Sequence, residues 1–242
     1  MSDCESRVIS GIPALTYIPR ETPRAAVLLY HGLGSAMESY AFFASLVSHW
    51  GYKVVVPEIP HHGVRGTLDY ADPKAVQKHF WSIVRQGVRE LEGIAAVLRK
   101  ENENLSVIGH SLGGFIAAGA FSEVSCLQSA VVINSSCAWA KFEEHIRELH
   151  GLHPMTEEER KALQELDPLT RAAFGDRKRL LLLHGKDDTT VPIDSQRYFV
   201  RMKADVPGEY LEFVEYAGVN HLITLGMLEK IKKWLDRLYP QG

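Results

Sequence analysis

The chain has 242 residues, of which 45% are hydrophobic and 24% are charged, and its formal net charge is −3. This balance is ordinary for a globular protein and does not favour nucleic acid or an anionic membrane as a partner. No run of about 18 apolar residues is present, so the sequence predicts no membrane-spanning helix. Cys4, Cys126 and Cys137 fit neither a disulfide framework nor a zinc site. We expect these cysteines to be reduced thiols, and the first residues lack a signal-peptide pattern. Both observations predict a cytoplasmic protein.

Short apolar runs alternate with amphipathic stretches along the chain. Residues 7–18 fit an antiparallel hairpin. Five runs of the kind found in parallel strands covered on both faces lie at 25–30, 52–56, 105–109, 130–134 and 179–184. A further candidate at 210–216 alternates as an edge strand does. Helical patterns lie at 38–49, 74–100, 112–122, 193–203 and 223–238. This order predicts an α/β fold with a doubly wound, mostly parallel sheet.

One segment, 138–172, interrupts the alternation. It contains no strand pattern and two short helical ones, the second opening with Thr156 as N-cap and Glu159 completing a capping box. We expect this insert to form a small helical cap over the binding pocket; an ordinary surface crossover is the alternative. Because no repeat, low-complexity tract or linker is present, we expect one domain over residues 1–242.

The strongest chemical signal is the pentapeptide Gly109-His110-Ser111-Leu112-Gly113. It follows an apolar run and opens an apolar helix, which is the strand–turn–helix context of a nucleophile elbow. Such a turn presents the serine hydroxyl at the carboxyl end of the sheet, in front of a helix N-terminus that favours developing negative charge. The sequence therefore predicts Ser111 as a nucleophile.

A serine hydroxyl needs an adjacent base, and in this arrangement the partners follow in the order Ser, acid, His. Asp187 and Asp188 compete for the acid position after the run 179–184, and the spacing HGxxDxxVP favours Asp188. The end of the preceding strand carries Asn134 and no acid. His221, in the loop before the last helix, is the predicted base, with Asp188 fixing its tautomer.

An oxyanion hole is expected where the first buried strand ends, in His31-Gly32-Leu33-Gly34. Glycines let a backbone N–H turn into the site, and we predict the N–H groups of Leu33 and Leu112 as the two donors. His31, Gly32 and Gly34 are expected to support this loop. The spacing of metal ligands is absent from His61, His62 and the three histidines of the insert, so no metal site is predicted. No phosphate-binding glycine loop follows a strand, so no cofactor is predicted.

These motifs resemble a known superfamily. The blocks HGLGS at 31–35, GHSLGG at 109–114, HGKDDTTVP at 184–192 and GVNH at 218–221 are similar to the oxyanion, nucleophile, acid and base blocks of the α/β-hydrolases. The segments 5–19, 55–66 and 79–94 resemble small bacterial carboxylesterases of the prolyl-oligopeptidase-like branch. The resemblance implies hydrolysis of short-acyl esters of small molecules.

Three functions follow from these observations. The first is a serine carboxylesterase that forms an acyl-enzyme on Ser111 with a small-molecule ester. The second is an acyl thioesterase or small peptidase with the same triad; Lys141, Arg147, Arg160 and Lys161 could form a basic rim for coenzyme A, although acidic neighbours dilute it. The third is a non-catalytic binding protein, against which the complete triad argues. The sequence does not indicate an oligomeric state.

Overall fold

The computed structural model describes residues 3–102 and 104–240. The strands are β1 (Asp3–Ile9), β2 (Ile12–Ile18), β3 (Ala26–Tyr30), β4 (Lys53–Pro57), β5 (Leu105–His110), β6 (Ser129–Ile133), β7 (Arg179–Gly185) and β8 (Leu211–Tyr216). The helices are α1 (Ala41–His49), α2 (Pro73–Leu98), α3 (Leu112–Glu123), α4 (Trp139–Leu149), α5 (Glu157–Gln164), α6 (Pro168–Arg171), α7 (Asp194–Met202) and α8 (Leu225–Leu238). Two 3₁₀ turns lie at Met37–Tyr40 and Gly63–Arg65.

All of these strands lie in one sheet, in the order β1-β2-β4-β3-β5-β6-β7-β8. From β4 to β8 each neighbouring pair is parallel, whereas the β1–β2 hairpin is antiparallel and joins β4 in antiparallel fashion. The predicted hairpin, the mostly parallel sheet and the edge position of β8 are therefore confirmed. The hairpin begins earlier than the sequence indicated, at Asp3.

Side chains of each central strand alternate between two cores. Leu28, Val107 and Leu182 face one core, which contains residues of α2, α3 and α7. Val27, Ile108 and Leu181 face the other, which contains residues of α1 and α8. Helices thus cover both faces of the sheet, and this is why the central strands are continuous apolar runs. No helix among the described residues is both long and apolar enough to cross a bilayer.

The insert between β6 and β7 contains three helices, α4, α5 and α6, where two were expected. The predicted capping box at Thr156 is present, since its side chain accepts from the Glu159 N–H and the Glu159 carboxylate accepts from the Thr156 N–H. The extra helix is the four-residue α6. A single buried carboxylate, Asp167, accepts hydrogen bonds from the backbone of Trp139, Ala140 and Leu169, and so ties the starts of α4 and α6 together.

The loops that follow parallel strands all lie at the same edge of the sheet. His31 follows β3, Ser111 follows β5 and Asp188 follows β7, so three of the predicted site segments meet at the carboxyl edge. His221 reaches the same edge from the loop that follows β8. The candidate site is assembled here.

Candidate active site

Ser111 occupies a sharp turn between β5 and α3. Its backbone angles are φ 56° and ψ −123°, which a residue with a side chain rarely adopts and which store strain on the order of 1–3 kcal/mol. The turn requires glycine at its flanks. A Cβ on Gly109 would lie 1.9 Å from the Gly113 carbonyl oxygen, and one on Gly113 would lie 2.3 Å from the Tyr30 carbonyl oxygen. Strand, turn and helix are therefore packed backbone against backbone, as the motif predicted.

The first turn of α3 leaves a free donor beside Ser111. The carbonyl of Ser111 accepts from the N–H groups of Gly114 and Phe115. Among the described residues, no acceptor contacts the N–H of Leu112 at the head of this helix or the N–H of Leu33 in the neighbouring loop. Two unpaired amides on the two segments that flank the serine are what an oxyanion hole requires.

The loop that carries Leu33 is braced by three hydrogen bonds. His31 is fully buried, and its Nδ1–H donates to the Gly32 carbonyl at 2.9 Å while its Nε2 accepts from the Ile59 N–H at 3.4 Å. The N–H of Gly34 donates to His62 Nε2 at 2.9 Å. Burial lowers the pKa of His31 to about 4, so the imidazole stays neutral and keeps an acceptor nitrogen. These contacts support the bracing role predicted for His31.

Asp188 is held by hydrogen bonds on both carboxylate oxygens. Its Oδ1 accepts from the N–H groups of Thr190 and Val191 at 2.9 and 2.8 Å, and its Oδ2 accepts from His221 Nδ1 at 2.8 Å. Its side chain is fully buried, whereas the competing Asp187 is exposed and contributes only a backbone hydrogen bond to Val219. The geometry therefore favours Asp188 as the partner of His221.

The ionisation of Asp188 reflects two opposing effects. Burial raises the pKa of its carboxyl, but hydrogen bonds from His184, His221 and the Val191 N–H outweigh burial and hold that pKa well below its usual value. The carboxylate thus remains charged at neutral pH. A charged partner on Nδ1 fixes the tautomer of His221 with Nε2 free to accept a proton.

A second histidine, His184, also approaches this carboxylate. Its Nε2–H donates to the Val191 carbonyl at 2.8 Å and lies 3.4 Å from Asp188 Oδ2. The ring is buried, and it approaches the same carboxylate oxygen that accepts from His221. The sequence placed His184 in the acid block without assigning it a contact.

The histidine loop is fixed by the side chain of Asn220. Its Oδ1 accepts from the His221 N–H at 2.7 Å and from the Thr189 N–H at 3.0 Å. Because Thr189 follows Asp188, Asn220 links the loop that carries the base to the loop that carries the acid. Its position next to His221 in the GVNH block was the only sequence signal for it.

His110 precedes Ser111 in the chain and lies beside the ring of His221. Its ring lies 4.9 Å from that of His221, and its Nδ1 accepts from the Tyr40 hydroxyl at 2.7 Å. Burial, reinforced by His221, lowers the pKa of His110 to about 3, so this ring is neutral. Among the described residues, Ser111 Oγ makes no hydrogen bond to His221, a looseness common in active sites without substrate.

The insert lies against α2 through aromatic and polar contacts. The Trp81 ring lies 5.4 Å from that of Trp139 and 5.7 Å from that of Phe115 on α3. Trp81 Nε1 donates to the buried carboxylate of Glu143 at 2.9 Å, and Arg147 Nε donates to the other oxygen at 2.7 Å. Beside these contacts, a cleft of about 550 Å³ lies between α2 and the insert. Its lining contains none of Ser111, Asp188 and His221.

The basic rim considered for coenzyme A is largely neutralised by ion pairs. Lys141 and Arg160 both contact Glu144, and Arg147 contacts Glu143 and Glu159. Acidic neighbours therefore do more than dilute these cations, because they occupy three of the four side chains that were expected to form the rim.

Comparisons with known proteins agree with this architecture. The model of the serine aminopeptidase S33 family matches residues 21–156, and the model of the prolyl oligopeptidase family matches residues 93–239. The chain is 29% identical to the esterase YjfP of Escherichia coli, over 93% of this chain and 94% of that protein. It is 26% identical to the putative esterase YitV of Bacillus subtilis, over 98% and 99%. The crystal structure of TT1662 from Thermus thermophilus superposes over 100% of both chains with a TM-score of 0.81 and 23% identity, which confirms the expected fold.

Proposed function

This chain belongs to the serine aminopeptidase S33 and prolyl oligopeptidase families of α/β-hydrolases and is a serine hydrolase, and we propose that it acts as a carboxylesterase on small, short-acyl esters. The observation that carries the proposal is the 2.8 Å hydrogen bond between the buried Asp188 carboxylate and His221, at the sheet edge where the strained Ser111 turn lies. Two relatives named as an esterase and a putative esterase, aligned over nearly their whole length, support an ester as the substrate.

In the proposed mechanism, Ser111 Oγ attacks the ester carbonyl carbon while His221 Nε2 accepts its proton. Asp188 stabilises the resulting imidazolium through Nδ1–H, and the N–H groups of Leu33 and Leu112 stabilise the oxyanion. The tetrahedral intermediate collapses, and His221 returns the proton to the departing alcohol. Water then attacks the acyl-enzyme with His221 again as base, which releases the carboxylic acid and restores Ser111.

The test is hydrolysis of p-nitrophenyl butyrate together with covalent labelling by a fluorophosphonate. Ser111→Ala should abolish both while the circular dichroism spectrum is retained. Ser135→Ala is the matched control, because Ser135 is a buried serine at the end of the adjacent strand whose hydroxyl has no partner among the described residues. Turnover or labelling that survives in Ser111→Ala would overturn the assignment.

A second candidate, a small peptidase, is favoured by the names of the two matching families. The same nucleophile and base cleave amides, so the bond attacked must be measured. We expect p-nitrophenyl esters to be hydrolysed far faster than aminoacyl p-nitroanilides and acyl-coenzyme A. A preference for the anilide would favour the peptidase, and a preference for acyl-coenzyme A would favour the thioesterase.

We also infer a cytoplasmic location. Cys4, Cys126 and Cys137 are free thiols that range from exposed to buried. Reduced cysteines are typical of the cytosol and uncommon in oxidising compartments.

A further inference from the structure

Asn134 stands at the sheet edge in a backbone conformation that asparagine tolerates better than most residues. It directly follows β6, its φ is 46°, and its side chain is completely buried. Its own N–H donates to the Leu183 carbonyl of β7 at 2.9 Å. A left-handed, fully buried polar residue at this point is uncommon without a reason in its contacts.

Both polar atoms of the Asn134 side chain are used, and each contacts a different loop. Oδ1 accepts from the Gly185 N–H at 3.0 Å, three residues before Asp188. Nδ2 donates to the Leu222 carbonyl at 3.1 Å, one residue after His221. One amide therefore joins the last residue of β7, where the acid loop begins, to the loop that carries the base.

The two loops also touch each other directly at Gly185. A Cβ there would lie 2.3 Å from the Val219 carbonyl oxygen, and the Asp187 N–H donates to that same oxygen at 3.0 Å. Asn134 adds a contact from a third segment, the end of β6. The loops are thus pinned against a rigid sheet strand as well as against one another, and this limits how far Asp188 and His221 can separate.

The chemistry of the position calls for an amide. Gly185 presents a donor and Leu222 presents an acceptor, so the residue between them must accept on one atom and donate from another. A carboxylate would meet the Leu222 carbonyl oxygen to oxygen. A hydroxyl is too short to reach two loops, and an aliphatic side chain would leave both backbone groups buried and unpaired.

We propose that Asn134 is a positioning residue for the reaction proposed above: it sets the separation of the acid and histidine loops so that the Asp188–His221 hydrogen bond persists as His221 gains and loses its proton. The inference rests on the proposed function. Asn134 does not touch Asp188 or His221 in the structure, and it acts through the backbone on either side of them.

The test compares Asn134→Gly and Asn134→Asp with Asn104→Ala in the full chain. Glycine keeps the left-handed backbone and removes only the amide, whereas aspartate keeps the acceptor for Gly185 and loses the donor for Leu222. Asn104 is the matched control, because its side-chain amide donates to the Arg24 carbonyl at the opposite edge of the sheet. The readouts are kcat and KM for p-nitrophenyl butyrate, the fraction of labelled sites, and the downfield NMR resonance of the His221 Nδ1 proton.

For Asn134→Gly we expect kcat per labelled site to fall by about 10²-fold, the effect of a small misplacement of reacting groups, with KM nearly unchanged. The downfield resonance should broaden or disappear. Asn134→Asp should lower kcat per labelled site at least as much, because its buried carboxylate faces the Leu222 carbonyl oxygen to oxygen, and Asn104→Ala should match the wild type in all readouts.

Unchanged kcat per labelled site together with an intact His221 resonance in Asn134→Gly would overturn the inference, because the residue would then be merely structural. If Asn134→Gly does not fold, Asn134→Asp decides by the same criteria. If the wild type neither hydrolyses esters nor labels, the proposed function fails, and the His221 resonance still reports whether Asn134 holds the two loops together.

Discussion

The hydroxyl oxygen of Tyr40 lies 2.7 Å from Nδ1 of His110, although 70 positions separate the two residues in the chain. The same oxygen accepts the Gly32 N–H at 3.1 Å. A single phenol therefore connects the loop that supplies Leu33 to the turn that supplies Ser111 and Leu112. The separation of the two proposed oxyanion donors depends on this contact.

Tyr40→Phe should lower kcat by about tenfold, because the buried Gly32 N–H loses its acceptor and the Leu33 amide is no longer held in place. Tyr52→Phe is the matched control. Tyr52 is a fully buried tyrosine in the same core whose hydroxyl donates to Asp236, away from the site. Both variants should lose a similar free energy of unfolding in urea titrations. Equal kcat values in the two variants would contradict the role given to Tyr40.

Asp188→Asn should reduce kcat by on the order of 10³–10⁴, because the amide can donate to His221 Nδ1 and so favour the wrong tautomer. Asp187→Asn should retain turnover close to that of the wild type, since the Asp187 side chain is exposed and the His221 contact belongs to Asp188. Steady-state hydrolysis of p-nitrophenyl butyrate distinguishes the two. A larger loss at Asp187 would reverse the acid assignment.

Stability should fall as the pH is lowered from 6.5 towards 4, in part because of His31. Burial lowers the pKa of His31 to about 4 in the folded protein, while the unfolded chain titrates near its ordinary value of 6.5. Between these values the unfolded state binds the extra proton, so the free energy of unfolding decreases by about 1.4 kcal/mol per pH unit for this residue.

Urea unfolding at pH 7, 6 and 5 measures this slope. His31→Gln should make it shallower, because glutamine offers a donor and an acceptor but does not titrate. His49→Gln, at an exposed position near the end of α1, is the control. An identical slope in His31→Gln and the wild type would show that the pKa of His31 is not depressed.

Trp81→Phe should loosen the insert from α2. It removes the hydrogen bond to the buried Glu143 carboxylate, a loss of about 1.5–3 kcal/mol for a charged acceptor. Hydrogen exchange across α4 and α5 should accelerate. Trp234→Phe is the matched control, because its Nε1 donates to Ser129 on the other face of the sheet. Exchange in the insert that is equally fast in both variants would argue against the Trp81 contact as its anchor.

The elements that the sequence predicted share a simple physical origin. Strands β3 to β7 are covered on both faces and are therefore mostly apolar, and the nucleophile turn needs small residues where backbones meet. Both constraints act on neighbouring residues and are therefore visible in the sequence. The helix α6 was missed because four residues, started by the Asp167 cap, are too few to show a helical period.

The contacts that hold the site were not predictable in the same way. The hydrogen bonds of Tyr40 and Asn134 join residues 70 and 88 positions apart, and no local pattern marks either partner. The ion pairs between the basic and acidic side chains of α4 and α5 depend on how these two helices are placed. Such contacts become apparent only when the loops are assembled on the sheet.

The close approach of backbones at Gly109, Gly113 and Gly185 has a consequence for directed evolution. A methyl group at any of them would lie 1.9 to 2.3 Å from a carbonyl oxygen of another segment, and no rotamer change can relieve a clash with the main chain. Libraries that vary these codons would consist mostly of unfolded chains. Exposed side chains of the insert, by contrast, can be exchanged without moving the sheet.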